Sequence, residues 1–216
     1  VVGRNVGDAV EAGRLQVALT TASSGPIIGA IQIGPNMNPN WQTFLASQGA
    51  RFDGDRLTGF ATTAAPVAAA TTLVDLSGEG IIAVEGADMR SFLQGQLSTD
   101  IDALTPDISQ LSSWSNAKGR VVSVLRILPH DDGCLLLLQH SMLTSVMKRL
   151  SMYVLRSKVK LGDASDEYVR IGLAGDEAEH LLDAVKLAAP RDVNRVAIHG
   201  ATRIVRLHAR YRDSCS

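Results

Sequence analysis

The side chains best placed to do chemistry fall in a few short phrases. Phe92-Leu93-Gln94-Gly95-Gln96 is followed closely by Thr99-Asp100, and Asn116-Ala117-Lys118-Gly119-Arg120 comes sixteen residues later. Gln94 and Gln96 present donors and acceptors that suit a pterin or amide edge, although facing water or capping a strand would use them equally well. Gly95 inside a helical run costs about 1 kcal/mol relative to alanine, which points to a close approach by a strand or a ligand. Asp100 serves most simply as a turn former, because a general base needs a partner and no histidine stands near it in the sequence. Asn116 and Gly119 are turn residues, and Lys118 between them could meet a carboxylate, though turn lysines are usually solvated. Trp114 and Tyr153 could stack on a ring, but single aromatics in apolar runs are more often core.

A second group is electrostatic. The first 73 residues hold four basic and four acidic groups, residues 74–140 four and nine, and residues 141–216 thirteen and nine. Lys148, Arg149, Arg156, Lys158 and Lys160 crowd the start of that basic third. Such a patch could take phosphates, as in RNA, or a polyglutamate tail, against the plainer reading of a solvated face. Metal chemistry has little to work with, because the two cysteines, Cys134 and Cys215, are far apart and lack a histidine-rich partner stretch. Phosphate-loop, dinucleotide, nucleophile-elbow and zinc-helix motifs are all missing.

The elements that must position these groups follow from periodicity. Trp41, Phe44 and Leu45 predict a helix from Pro39 to about Gly49. Leu73–Leu76 and Ile81–Val84 read as a hairpin across Ser77-Gly78-Glu79-Gly80. Asp88 is expected to cap a helix carrying Met89, Phe92, Leu93 and Leu97. Strands at 108–114 and 120–128 flank the Lys118 turn, and Cys134–Gln139 follows a second turn at His130–Gly133. Ser141 caps a helix bearing Leu143, Val146, Leu150 and Val154, with further strands near Val159 and Val169, a helix over 176–187, and strand again from 193 to 207. The pattern is α+β, with antiparallel sheets and helices packed on one face.

This divides the chain into an N-terminal extension over 1–36 that is flexible or precedes a start at Met37, a short helix with an Ala/Thr-rich linker over 37–72, and a body over 73–216. With 216 residues, 45% hydrophobic and 20% charged, and mean hydropathy +0.09, it can bury a core. A net charge of −1 calls for no polyanionic partner globally. Neither a spanning apolar run nor a secretory signal is read, so the expected location is cytoplasmic.

The phrases in order, with Gly86-Ala87-Asp88 before them and Tyr153-Val154 and Ser157-Lys158-Val159 after, resemble the YgfZ branch of the folate-binding, GcvT-like family over about 73–175. That resemblance implies tetrahydrofolate as ligand, with Gln94, Gly95, Gln96, Asp100, Asn116, Lys118 and Gly119 around it. It implies an accessory role for iron–sulfur proteins, including those that modify tRNA. Two departures matter. Aminomethyltransferases of this fold carry paired aspartates after the glycine turn, one of which helps activate the folate nitrogen, whereas this chain has Val121-Val122-Ser123-Val124; transfer chemistry is the second reading and an RNA-contacting module the third. Glu79 stands where some relatives place a ring-stacking tryptophan. The family's downstream KGCxxGQE phrase is missing from the chain, as is a C-terminal β-barrel, so the sequence reads as an incomplete member.

Overall fold

The structure is a computed structural model that describes residues 2–3, 38–54, 56–60, 72–175 and 177–207. Its centre is a five-stranded antiparallel sheet in the order β6-β7-β8-β5-β9, built from β5 (Glu79–Glu85), β6 (Gln110–Ser115), β7 (Val121–His130), β8 (Gly133–Gln139) and β9 (Lys160–Asp163). Helices α2 (Met89–Gln94) and α3 (His140–Val154) supply apolar side chains to one face, where Met89, Phe92, Leu93, Leu143, Val146 and Leu150 pack on Ile82, Val84, Leu125, Ile127 and Leu136. A second apolar cluster on the other face gathers Ile81, Leu128, Leu135 and Leu137 with Tyr168 and Val196. Covering on both faces explains why Cys134–Leu138 is buried without alternation. Burial also pushes the Cys134 thiol up to about 12, which leaves it as a small hydrophobe.

The second five-stranded sheet has the order β11-β12-β1-β10-β4. Its members are β1 (Val2–Gly3), β4 (Thr72–Asp75), β10 (Val169–Ala174), β11 (Val196–His199) and β12 (Thr202–Val205). A short hairpin, β2 (Ala50–Asp53) with β3 (Arg56–Phe60), completes the strands; the sequence reading passed over it. Among the described residues no sheet closes into a barrel. Arg170 ties the body together: 1% exposed, it donates to the carbonyls of Leu76 (3.3 Å), Ser77 (3.4 Å), Ser165 (2.7 Å) and Tyr168 (3.0 Å). Helix α1 (Pro39–Ser47) is capped by the Asn38 side chain and anchored by Trp41 Nε1, which donates to Asp75 at 3.0 Å.

Several local expectations give way to tertiary pairing. The hairpin expected across Ser77–Gly80 does not form: β4 pairs with β10, and β5 lies between β8 and β9, so Leu76-Ser77-Gly78 carries the chain from one sheet to the other and Gly80 lies within β5. Asp88 does not cap α2, because its carboxylate accepts the Lys158 N–H at 2.7 Å. Helix α3 begins at His140 without a side-chain cap, so Ser141 lies within it. The last helix, α4, is shorter than expected, Ala178–Ala184. Gly95 ends α2 at φ −80°, and a Cβ there would meet only ordinary contacts of 3.6 and 3.8 Å, so no neighbouring strand requires a glycine. The expected linker at 61–71, the extension apart from Val2–Gly3, and Cys215 lie outside the described residues. Among those described, no helix is long and apolar enough to cross a membrane.

Candidate functional site

The two phrases separated in sequence meet at one edge of the central sheet. After α2 the chain turns back along β6: Leu97 forms an antiparallel bridge with Trp114, and the Ser98 N–H donates to the Ser113 carbonyl at 3.1 Å. Hydroxyls reinforce the seam, with Thr99 Oγ1 donating to Ser112 Oγ at 3.0 Å and Ser113 Oγ to Ser98 Oγ at 3.0 Å. Further along, Gln110 Nε2 donates to the Asp100 carbonyl at 2.9 Å. The segment covers an edge strand that would otherwise expose its backbone. None of the serines or Gln110 was singled out from sequence, where nothing marks hydroxyls twelve or more residues apart as partners.

Register then places the Gln94–Gln96 phrase beside the β6–β7 turn. Within that turn the Asn116 side chain accepts the N–H groups of Lys118 (3.0 Å) and Arg120 (3.1 Å), and Gly119 takes φ +74°. Gln94 is likewise committed locally, its Oε1 accepting the Ile101 N–H at 2.6 Å. Gln96 and Lys118 make no side-chain hydrogen bond among the described residues, and Lys118 is exposed. The Asp100 carboxylate accepts the Asp102 N–H at 3.1 Å, as an aspartate does in a turn. Of the seven expected residues, two therefore shape the loops, two keep free polar ends, two glycines serve the backbone, and Asp100 lines a neighbouring hollow.

That hollow, about 510 Å³, is bounded by Thr99, Asp100, Gln110, Leu111, Asn194 and Arg195. Gln110 Oε1 is buried there without a partner among the described residues. Behind the wall, Arg126 donates to Ser109 Oγ and Asn194 Oδ1, both at 2.9 Å. Burial lowers the Arg126 pKa, and the same desolvation raises that of Glu79 against the pull of Arg170 and Arg126. On β7, Ser123 turns into the helix-side core at 6% exposure while Val124 faces outward at 57%. Neither is a carboxylate that could take up a proton, and the Ser123 hydroxyl donates to the Val124 carbonyl at 3.3 Å. Trp114 is core at 3% exposure, whereas Tyr153 stands half exposed on α3.

The basic residues lie elsewhere. Glu79 at the start of β5 pairs with Gln139, whereas Glu85 at its end pairs with Lys160, and Lys158 sits beside Asp88. At about 3.3 Å per residue, the two ends of β5 are separated by roughly 20 Å. Lys158 and Lys160 therefore lie at the far end of the sheet from the Lys118 turn, and α3 runs toward that end from His140, with Lys148 and Arg149 about midway along it. No group of three or more metal-ligating side chains occurs among the described residues.

Comparison with known proteins agrees with this architecture. The GCVT N-terminal domain family matches residues 47–205. The tRNA-modifying protein YgfZ of Sodalis glossinidius (strain morsitans) is 31% identical over 134 residues, covering 62% of this chain and 40% of its own length. The YgfZ protein of Escherichia coli O7:K1 is also 31% identical over 134 residues, with 62% and 41% covered. This chain thus spans about two fifths of those relatives. The crystal structure of the glycine cleavage system aminomethyltransferase T from Bartonella henselae superposes with a TM-score of 0.57 at 20% identity, covering 71% of this chain and 45% of that one.

Proposed function

The chain belongs to the GCVT N-terminal domain family, and from that premise we propose that it is part of a YgfZ-type, tetrahydrofolate-binding protein of the cytoplasm that supports tRNA modification by iron–sulfur enzymes. The observation that carries the reading is the Leu97–Trp114 bridge, which brings the Gln94–Gln96 phrase to the end of β6 that leads into the Lys118 turn. The free carboxamide of Gln96 suits the donor and acceptor edge of a pterin. The Lys118 ammonium suits the carboxylate end of a folate. When bound, a reduced folate supplies a nitrogen that can carry one-carbon units. The chain's own residues bind and orient it, and with Ser123 inward and Val124 outward they offer no carboxylate on β7 to move a proton. This favours an accessory role over aminomethyl transfer.

Anaerobic calorimetric titration of the full chain with tetrahydrofolate tests the reading. Saturable binding is expected, weakened about tenfold by Lys118→Ala through loss of a charge-assisted hydrogen bond. Absence of binding at millimolar ligand overturns it.

A further inference from the structure

The cations at the end of α3 differ from the arginines of the second sheet and its flanks, and Lys186 and Arg191, exposed like them, stand apart on the segment after α4. Arg195, Arg203 and Arg206 are paired with Asp107, Asp131 and Glu179, and Arg170 is held by carbonyls. Lys148, Arg149, Arg156 and Lys158 are exposed, and their side chains make no ion pair among the described residues. The Asp88 carboxylate accepts the backbone N–H of Lys158 at 2.7 Å. Lys160 stands opposite Glu85 in the ladder and is left out of the argument.

Apolar groups are set among these cations. Leu143, Val146 and Leu150 turn α3 toward the core. On its outer side Lys148 and Met152, and likewise Arg149 and Tyr153, are four residues apart and so adjacent on the helix surface. Met152 is 61% exposed, Tyr153 48% and Leu155 86%. Leu155 also holds φ +44°, a left-handed conformation that is rare for a branched side chain and ends the helix at this surface. A solvated face would not need an aromatic ring and two aliphatic groups between four unpaired cations.

We propose that the outer face of the last two turns of α3, with Arg156 and Lys158, binds single-stranded RNA, the four cations on phosphates and Tyr153 stacked on a base. An acidic protein would satisfy the cations but give the Tyr153 ring no π partner, whereas a single strand supplies phosphates and base faces together. The proposal does not rest on folate binding, since this surface runs toward the end of the sheet opposite the Lys118 turn.

Fluorescence anisotropy of a labelled twelve-nucleotide oligouridylate with the full chain, across a salt series, tests it. Each phosphate contact contributes about −0.7 to the log–log salt slope for single strands, so three to four contacts give a slope of about −2 to −3. Lys148→Gln and Arg156→Gln should each reduce the steepness by about 0.7. Tyr153→Ala should weaken binding about tenfold at unchanged slope. These side chains are exposed, and an unchanged melting temperature verifies the fold of each variant. Failure to bind at low salt overturns the proposal. So does binding indifferent to Tyr153→Ala that poly-L-glutamate displaces equally well, an outcome that assigns the surface to an acidic protein partner.

Discussion

The α-carbon of Gly86 lies against the carbonyl oxygen of Lys158, so close that a Cβ on residue 86 would stand 2.0 Å from it. Gly86 also holds φ +120°, a conformation that side-chain-bearing residues rarely adopt. Two residues on, Asp88 accepts the Lys158 N–H, so this junction fixes the start of α2 against the approach to β9. A close backbone contact thus requires glycine at 86, as it does at 133 beside the Val84 carbonyl, and not at 95.

Gly86→Ala should therefore destabilise the protein by about 2–4 kcal/mol, combining strain with displacement of a backbone group that cannot move freely. Gly95→Ala should change stability by less than about 1 kcal/mol, because its φ is ordinary and the space is open. Urea unfolding of the two variants side by side checks the contrast, and equal losses would refute it.

Glu79 sets a pH dependence of definite sign. Its carboxyl binds a proton more tightly in the fold than in the unfolded chain, because burial outweighs the attraction of Arg170 and Arg126. The stability linked to that proton is fully present below the ordinary carboxyl range and is lost as pH rises through the raised value. Glu79→Gln keeps the neutral form at every pH. Thermal melts should show the variant more stable than the parent near pH 7 and equal to it at about pH 3.5. A variant less stable at neutral pH would mean that attraction to the arginines dominates.

Arg170 offers a test of how the connections between the sheets are held. Its guanidinium satisfies carbonyls from both the β4–β5 connection and the segment before β10. Arg170→Ala removes a buried guanidinium donor from four carbonyls at once, and should cost about 3–5 kcal/mol in a denaturant titration. Arg170→Lys should recover little, since one ammonium cannot reproduce the planar fork. Near-parent stability of the lysine variant would show that charge alone suffices.

Local signals carried much of this fold. The spacing of Trp41, Phe44 and Leu45 announced α1, that of Leu143, Val146 and Leu150 announced α3, and the glycine turn at residue 119 joined two of the expected strands. These features arise from contacts a few residues apart, so composition and periodicity suffice to specify them. The family phrases also lay in plain order along the chain, and the match over 47–205 includes them.

Tertiary structure decided which partner each element took and what each polar side chain did. Nothing local distinguishes β5 paired across Ser77–Gly80 from β5 placed between β8 and β9, because the choice depends on burying apolar surface on both faces of one sheet. The same holds for Asp88, a helix cap by its position but a partner of Lys158 seventy residues away, and for Gln94 and Asn116, whose amides were drawn to nearby backbone. A hydrogen-bonding side chain takes the unsatisfied group that folding brings to it, and that group is set by packing over distances the sequence does not display.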